Sequence, residues 1–121
     1  MNLPHQAPLI FAKNIVSKEE NIVKVFCDFD QVPTLSMFIE ASAQSSSAFN
    51  NEDDEVKIGF LTMVKNIELL NEIQNSIFLI EVTKKIEMDN IKQFTFEAFD
   101  NDTDIKVVVG SFTVYIPNDD V

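Results

Sequence analysis

Arginine is absent from this sequence, histidine and cysteine occur once each, and glycine occurs only twice. With 20 Asp plus Glu against 9 lysines, the formal charge is −11 and the pI is near 4.3. Nucleic acid is thereby excluded as a partner, because binding it requires cations clustered over phosphates. The same deficit opposes docking to an anionic membrane surface. One cysteine, Cys27, forms no internal disulfide, and one histidine with one cysteine builds no structural zinc site. A reducing cytoplasmic location is the expectation. The opening "MNLPHQAPLIFAKN" has no basic leader, and Pro4 and Pro8 break its apolar run, so it is not expected to act as a signal peptide. Nowhere do apolar residues approach the ~20 in succession that a membrane helix needs. The acidic run "NNEDDE" at 50–55 does not have the spacing of a calcium loop. Neither a metal nor a cofactor is expected.

What is present is a chain of 121 residues, 45% of them hydrophobic, enough for one domain with a core and too short for two. A single domain over 1–121 is expected. Residues 21–29, "NIVKVFCDF", alternate Val23, Val25, Cys27 and Phe29 with Ile22, Lys24, Phe26 and Asp28, the period-two pattern of a strand. Residues 33–49, "PTLSMFIEASAQSSSAF", have helical character, with Pro33 suited to a first turn and Thr34 or Asp30 available as a cap. Four more apolar runs follow at 56–65, 77–86, 91–99 and 105–116, separated by Asx-rich turns, and Gly110 marks a bulge or a close approach. The order is a short N-terminal segment, a strand, one helix, then four strands. An antiparallel sheet with one apolar face must cover that face, and the helix is the only element able to do so. This predicts an α+β fold in which the sheet wraps around the helix. The small residues Ala41, Ser42, Ala43, Ser45, Ser46, Ser47 and Ala48 would let strands come close.

The stretches "LPHQAPLIFAKNIV", "FIEASAQ" and "GFLTMVKN", in this order and on this framework, resemble the β-hydroxyacyl-acyl-carrier-protein dehydratase family of hotdog-fold proteins. "LPH" followed by "PLI" looks like the family's Leu-Pro-His-Arg-x-Pro opening, and "IEASAQ" matches its central-helix signature. The resemblance implies a hotdog, an antiparallel sheet curled around one long helix and paired edge to edge with a second copy. It further implies a site at the dimer interface for an acyl chain carried on a phosphopantetheine arm. A histidine there removes the α-proton while an acidic residue on the central helix assists departure of the β-hydroxyl. Glu40 occupies the acidic position, where general acid catalysis calls for a carboxyl raised toward neutrality by burial. The N–H groups of the first turn, from Thr34, Leu35 and Ser36, would hold the thioester carbonyl. Gln44 is a further residue expected to face substrate or to satisfy backbone and interface groups.

The chain departs from the family where the base belongs. That interval carries His-Phe-Pro-Gly in active members and here reads "VFCDFDQVPTLSMFIE", with Phe26 or a neighbour in the place of histidine and no glycine in the loop. His5 is the one histidine able to work with Glu40, and Asp28 and Asp30 are the other titratable groups nearby. Cys27 reads as a small core residue, with no histidine placed to activate it. Acidic acyl carrier proteins would be repelled at long range by a chain of this charge unless Lys13, Lys57, Lys65, Lys84, Lys85 and Lys92 cluster. Two function classes follow. One is an enzyme acting on 3-hydroxyacyl thioesters, by dehydration or by hydrolysis through Glu40. The other is a non-catalytic acyl-binding chain or partner subunit, working as a homodimer or a hotdog heterodimer.

Overall fold

The computed structural model describes residues 11–49 and 60–115. Six strands form one sheet: β1 (Ala12–Lys18), β2 (Ile22–Asp28), β3 (Phe60–Leu69), β4 (Ile77–Met88), β5 (Ile91–Asp100) and β6 (Lys106–Tyr115). Their order is β1-β2-β4-β5-β6-β3, antiparallel throughout. The helix α1 (Leu35–Ser46), extended by a 3-10 turn at Ser47–Phe49, packs against β4, β2, β6, β1 and β5. The sheet wrapped around one helix is the hotdog arrangement that the sequence predicted. Two expectations change. Ala12–Lys18, read only as part of a short N-terminal segment, is a strand, and the helix starts at Leu35 with Pro33 buried ahead of it. Of the strand expected at 56–65, residues 56–59 lie outside the described residues, and β3 runs on to Leu69. His5, Lys57 and the "NNEDDE" run also lie outside them.

Burial explains the wrapping. Phe38, Ala41, Ser42 and Ser45 recur at helical spacing and form the buried stripe of α1. The serines are tolerated there because each bonds its own helix: Ser42 Oγ donates to Phe38 O at 2.8 Å and Ser45 Oγ to Ala41 O at 2.8 Å. No buried side-chain polar atom among the described residues lacks a partner. Against this stripe the inward residues of β2, β4, β5 and β6 supply the core, in two aromatic groups. Phe11, Phe29, Phe38 and Phe78 interlock with ring centroids 4.8 to 5.9 Å apart. Phe94 stacks on Phe112 at 5.1 Å and on Phe49 at 5.8 Å, with Phe96 beyond.

Gly110 is a close-approach point, and the bulge lies across from it. β3 pairs Lys65 with Ser111 and Glu68 with Val109, so Asn66 and Ile67 oppose Gly110 alone. Asn66 takes a left-handed φ of 59°, and Ile67 is half-buried where its β3 neighbours are exposed. A Cβ on Gly110 would overlap Ile67 Cδ1 and lie 2.8 Å from Phe96 Cε1. Gly110→Ala is therefore expected to lower stability by ~1–3 kcal/mol through overpacking, read as a fall in the urea midpoint. An unchanged midpoint would mean that Ile67 moves aside without cost.

The β5–β6 turn hangs on one carboxylate. Asp100, 5% exposed, accepts from Asn75 Nδ2 at 2.7 Å, Asp102 N at 2.8 Å and Thr103 N at 3.3 Å. Burial pushes its pKa up, but the hydrogen bonds from Asn75, Asp102 and Thr103 more than offset this and hold it below the usual 3.8. A carboxyl depressed in the folded state contributes stability above its unfolded pKa and loses it as pH falls through the folded one. Asp100→Ala should cost ~1–3 kcal/mol at neutral pH by orphaning the three donors. The gap from wild type should narrow in unfolding curves taken at progressively lower pH below about 4. A gap constant with pH would show that the turn does not depend on the ionised form.

Candidate functional site

The helix start is built by the segment between β2 and α1. Asp28 Oδ1 accepts from Asp30 N at 2.9 Å, and Asp30 adopts a φ of 65°, so these residues shape the turn that leaves β2. Thr34, of the two candidate caps, is the one used: its Oγ1 accepts from Met37 N at 3.3 Å. The reciprocal bond, which a Glu or Gln makes in most such boxes, comes from Met37 Sδ, 3.5 Å from Thr34 N. The first turn accordingly contains no acidic residue, in a chain of charge −11. The N–H groups of Leu35 and Ser36 have no acceptor among the described residues, and both side chains are exposed.

Glu40 follows Ser36 by one turn, and Gln44 follows Glu40 by another, so the three lie along one line of the helix. That line is distinct from the buried stripe of Phe38, Ala41, Ser42 and Ser45. Glu40 is half-buried, with Met37, Ile39 and Ala43 beside it packed against the core. Gln44 Nε2 donates to Glu40 Oε2 at 3.4 Å, while Gln44 Oε1 accepts from Phe11 N at 2.8 Å and Ala12 N at 3.2 Å. Gln44 thus joins the helix to the leading end of β1. The backbone of Phe11 and Ala12 is a part of the site that sequence reasoning missed, and no local signal marks it.

The other candidates are engaged elsewhere. Phe26 pairs with Leu79 and falls between the buried Val25 and Cys27, so it projects from the opposite side of β2 to the core residues. Cys27 is buried, and desolvation pushes its thiol up to about 12 despite Ser45 Oγ at 3.9 Å and the charge of Lys13. It is a core residue, as expected, and no nucleophile. His5 lies outside the described residues. In the β4–β5 hairpin Lys84 and Lys92 share one carboxylate, Glu87, at 3.1 and 3.7 Å, and Lys84 also sits over the Phe49 ring. Among the described residues no group of acidic, Cys or His side chains is placed to hold a metal ion. No described helix is long and apolar enough to cross a membrane.

No family model and no curated protein sequence matches the chain. Solved structures do. A dehydratase heterocomplex, ApeI:P, from Xenorhabdus doucetiae superposes with a TM-score of 0.77 at 18% identity, over 97% of this chain and 89% of that one. A Streptococcus mutans protein solved with acetyl-CoA bound gives 0.67 at 13% identity, over 98% and 94% of the two chains. A thioesterase from Haemophilus influenzae gives 0.63 at 12% identity, over 86% and 77%. These likenesses show the fold, and the fold is the hotdog.

Proposed function

We propose that this chain handles acyl thioesters as a dehydratase-type hotdog subunit, with Glu40 as the acid in water elimination from a 3-hydroxyacyl thioester. The observation that carries this is the line along α1. Two N–H groups at Leu35 and Ser36, without an acceptor among the described residues, suit a thioester carbonyl, and one turn on, a half-buried carboxyl is oriented by an amide. In the reaction a base takes the α-proton, the electron pair forms the α,β double bond, and Glu40 protonates the departing β-hydroxyl to release water. The base comes from His5 or from a second subunit: Cys27 is inert at neutral pH, Asp28 Oδ1 accepts from Asp30 N, and either aspartate beside Glu40 would make a site of two carboxylates with no cation to balance them. Edge strand β3 exposes Leu61, Met63, Val64 and Leu69, an apolar edge suited to pairing with another hotdog. The expected ligand arm is phosphopantetheine, on coenzyme A or on an acyl carrier protein. For a carrier protein the arm would supply much of the recognition, since Glu87 offsets part of the charge of Lys84 and Lys92.

The commitment of Asp28 and Cys27 favours a second reading, a partner subunit that brings the acid while a more basic hotdog chain brings the base. Support also comes from the dehydratase neighbour, itself a heterocomplex. The purified protein, alone and as recovered with its partners from the native host, should be incubated with 3-hydroxyacyl thioesters. An enoyl product supports dehydration, and free thiol with a 3-hydroxy acid would replace it by hydrolysis. Activity confined to a recovered heterodimer selects the partner-subunit reading. Recovery from the native host of a homodimer alone, inert toward every 3-hydroxyacyl thioester, would overturn both.

A further inference from the structure

We propose that Gln44 is a positioning residue that makes the orientation of the Glu40 carboxyl depend on the seating of β1 against the helix. The inference rests on the reading of Glu40 as the acid only for its catalytic consequence. A primary amide has one accepting end and one donating end, and here the accepting end is fixed first. Gln44 Oε1 takes both Phe11 N at 2.8 Å and Ala12 N at 3.2 Å, which rules out the flipped amide, because the flip would set an NH2 against two N–H donors. The NH2 must then face along the helix toward Glu40 Oε2, where it stands at 3.4 Å. That contact is longer than the two to the amides of Phe11 and Ala12, and it follows from them. β1 needs such an anchor, because beyond Ala12 every residue of the strand is exposed and its pairing with β2 is twice irregular. Phe11, 7% exposed and 4.9 Å from Phe29, ties the same point into the aromatic core. Seating of the chain at residues 11 and 12 and aim of the acid one turn away are therefore a single arrangement.

Two variants separate the halves of this linkage. Gln44→Leu removes acceptor and donor at similar shape. Gln44→Glu keeps an acceptor for the Phe11 and Ala12 amides but removes the donor to Glu40. Amide hydrogen exchange at Phe11 and Ala12, the Glu40 carboxyl-carbon signal at one fixed pH, and turnover by the active assembly are the readouts. Gln44→Leu should speed exchange at both amides about tenfold, the worth of one to two net hydrogen bonds, while amides of β4 and β5 stay protected. It should also move the Glu40 signal and lower kcat about tenfold with KM little changed. Gln44→Glu should restore amide protection but neither the Glu40 signal nor kcat. The proposal is overturned if the amides are released while the Glu40 signal stays at its wild-type position, or if Gln44→Glu restores kcat. Amide and carboxyl signals that move together in a protein whose Glu40→Gln variant turns over normally would uphold the linkage and sink only the acid role.

Discussion

Phe38→Ala is expected to cost ~3–5 kcal/mol, the range for emptying an aromatic site in a core, the largest stability loss of any single change considered for this chain. Phe38 is fully buried and sits edge-on to Phe78 at 4.8 Å and 83°, and to Phe29 at 5.1 Å and 62°. The other residues of the helix's buried stripe are Ala41, Ser42 and Ser45, so Phe38 is its one large side chain. Small neighbours let the strands come close, and closeness makes the vacated space hard to fill by collapse. Against a typical domain stability of about 5–15 kcal/mol, this loss brings the fold near its threshold. The urea midpoint should fall with the slope nearly unchanged, and Phe38→Leu should recover more than half of the loss. Phe49→Ala is the contrast, because Phe49 is half-buried beyond the helix end and should cost less. Equal losses for Phe38 and Phe49 would show that the helix is held at its end rather than by the stripe.

Legibility in the sequence tracked one-sided burial. β2, β4, β5 and β6 were visible because their inward residues alternate with outward ones, as Val23, Val25 and Cys27 do with Lys24, Phe26 and Asp28. β1 was invisible for the converse reason. Ala12 is its only residue not exposed, so no periodicity marks it, and hydrogen bonding to β2 alone makes it a strand. β3, the other edge, was displaced along the chain, and its two register shifts spoil the alternation that would have fixed its bounds. Thr34 and Asp30 were equivalent as caps in sequence. The structure separates them because Asp30 is used in a left-handed turn. At the site, Glu40 and Gln44 were legible as neighbours four apart on a helix. The grip of Gln44 on Phe11 was not, because it spans 33 positions and its partner is backbone, which carries no residue-type signal.

Glu40→Gln is expected to lower kcat by ~10²–10⁴-fold, the usual contribution of a general acid, in whichever assembly turns over 3-hydroxyacyl thioesters. The substitution keeps the shape and removes only the transferable proton. Glu40 is half-buried, and its described partner is the Gln44 amide at 3.4 Å, from which the carbonyl oxygen of the new side chain can equally accept. The fold should therefore stay within ~0.5 kcal/mol of wild type, and a thioester bound as proposed, at Leu35 and Ser36, should keep its KM within a few-fold. A fall in kcat at unchanged KM is the signature of a group that acts in the transition state alone. Loss of both together would instead assign Glu40 to binding. Glu40→Asp adds a geometric check: it keeps the proton but withdraws it by one methylene from the β-hydroxyl of a thioester bound as proposed. It should fall between wild type and Glu40→Gln, because proton transfer in place requires hydrogen-bond reach. In a heterodimer the same substitution tests which chain supplies the acid. If the partner also carries a carboxyl on its central helix, its substitution should leave the site served by Glu40 intact and halve turnover at most. Full turnover in a complex whose only altered residue is Glu40 would place the acid outside this helix and leave the chain with a binding role.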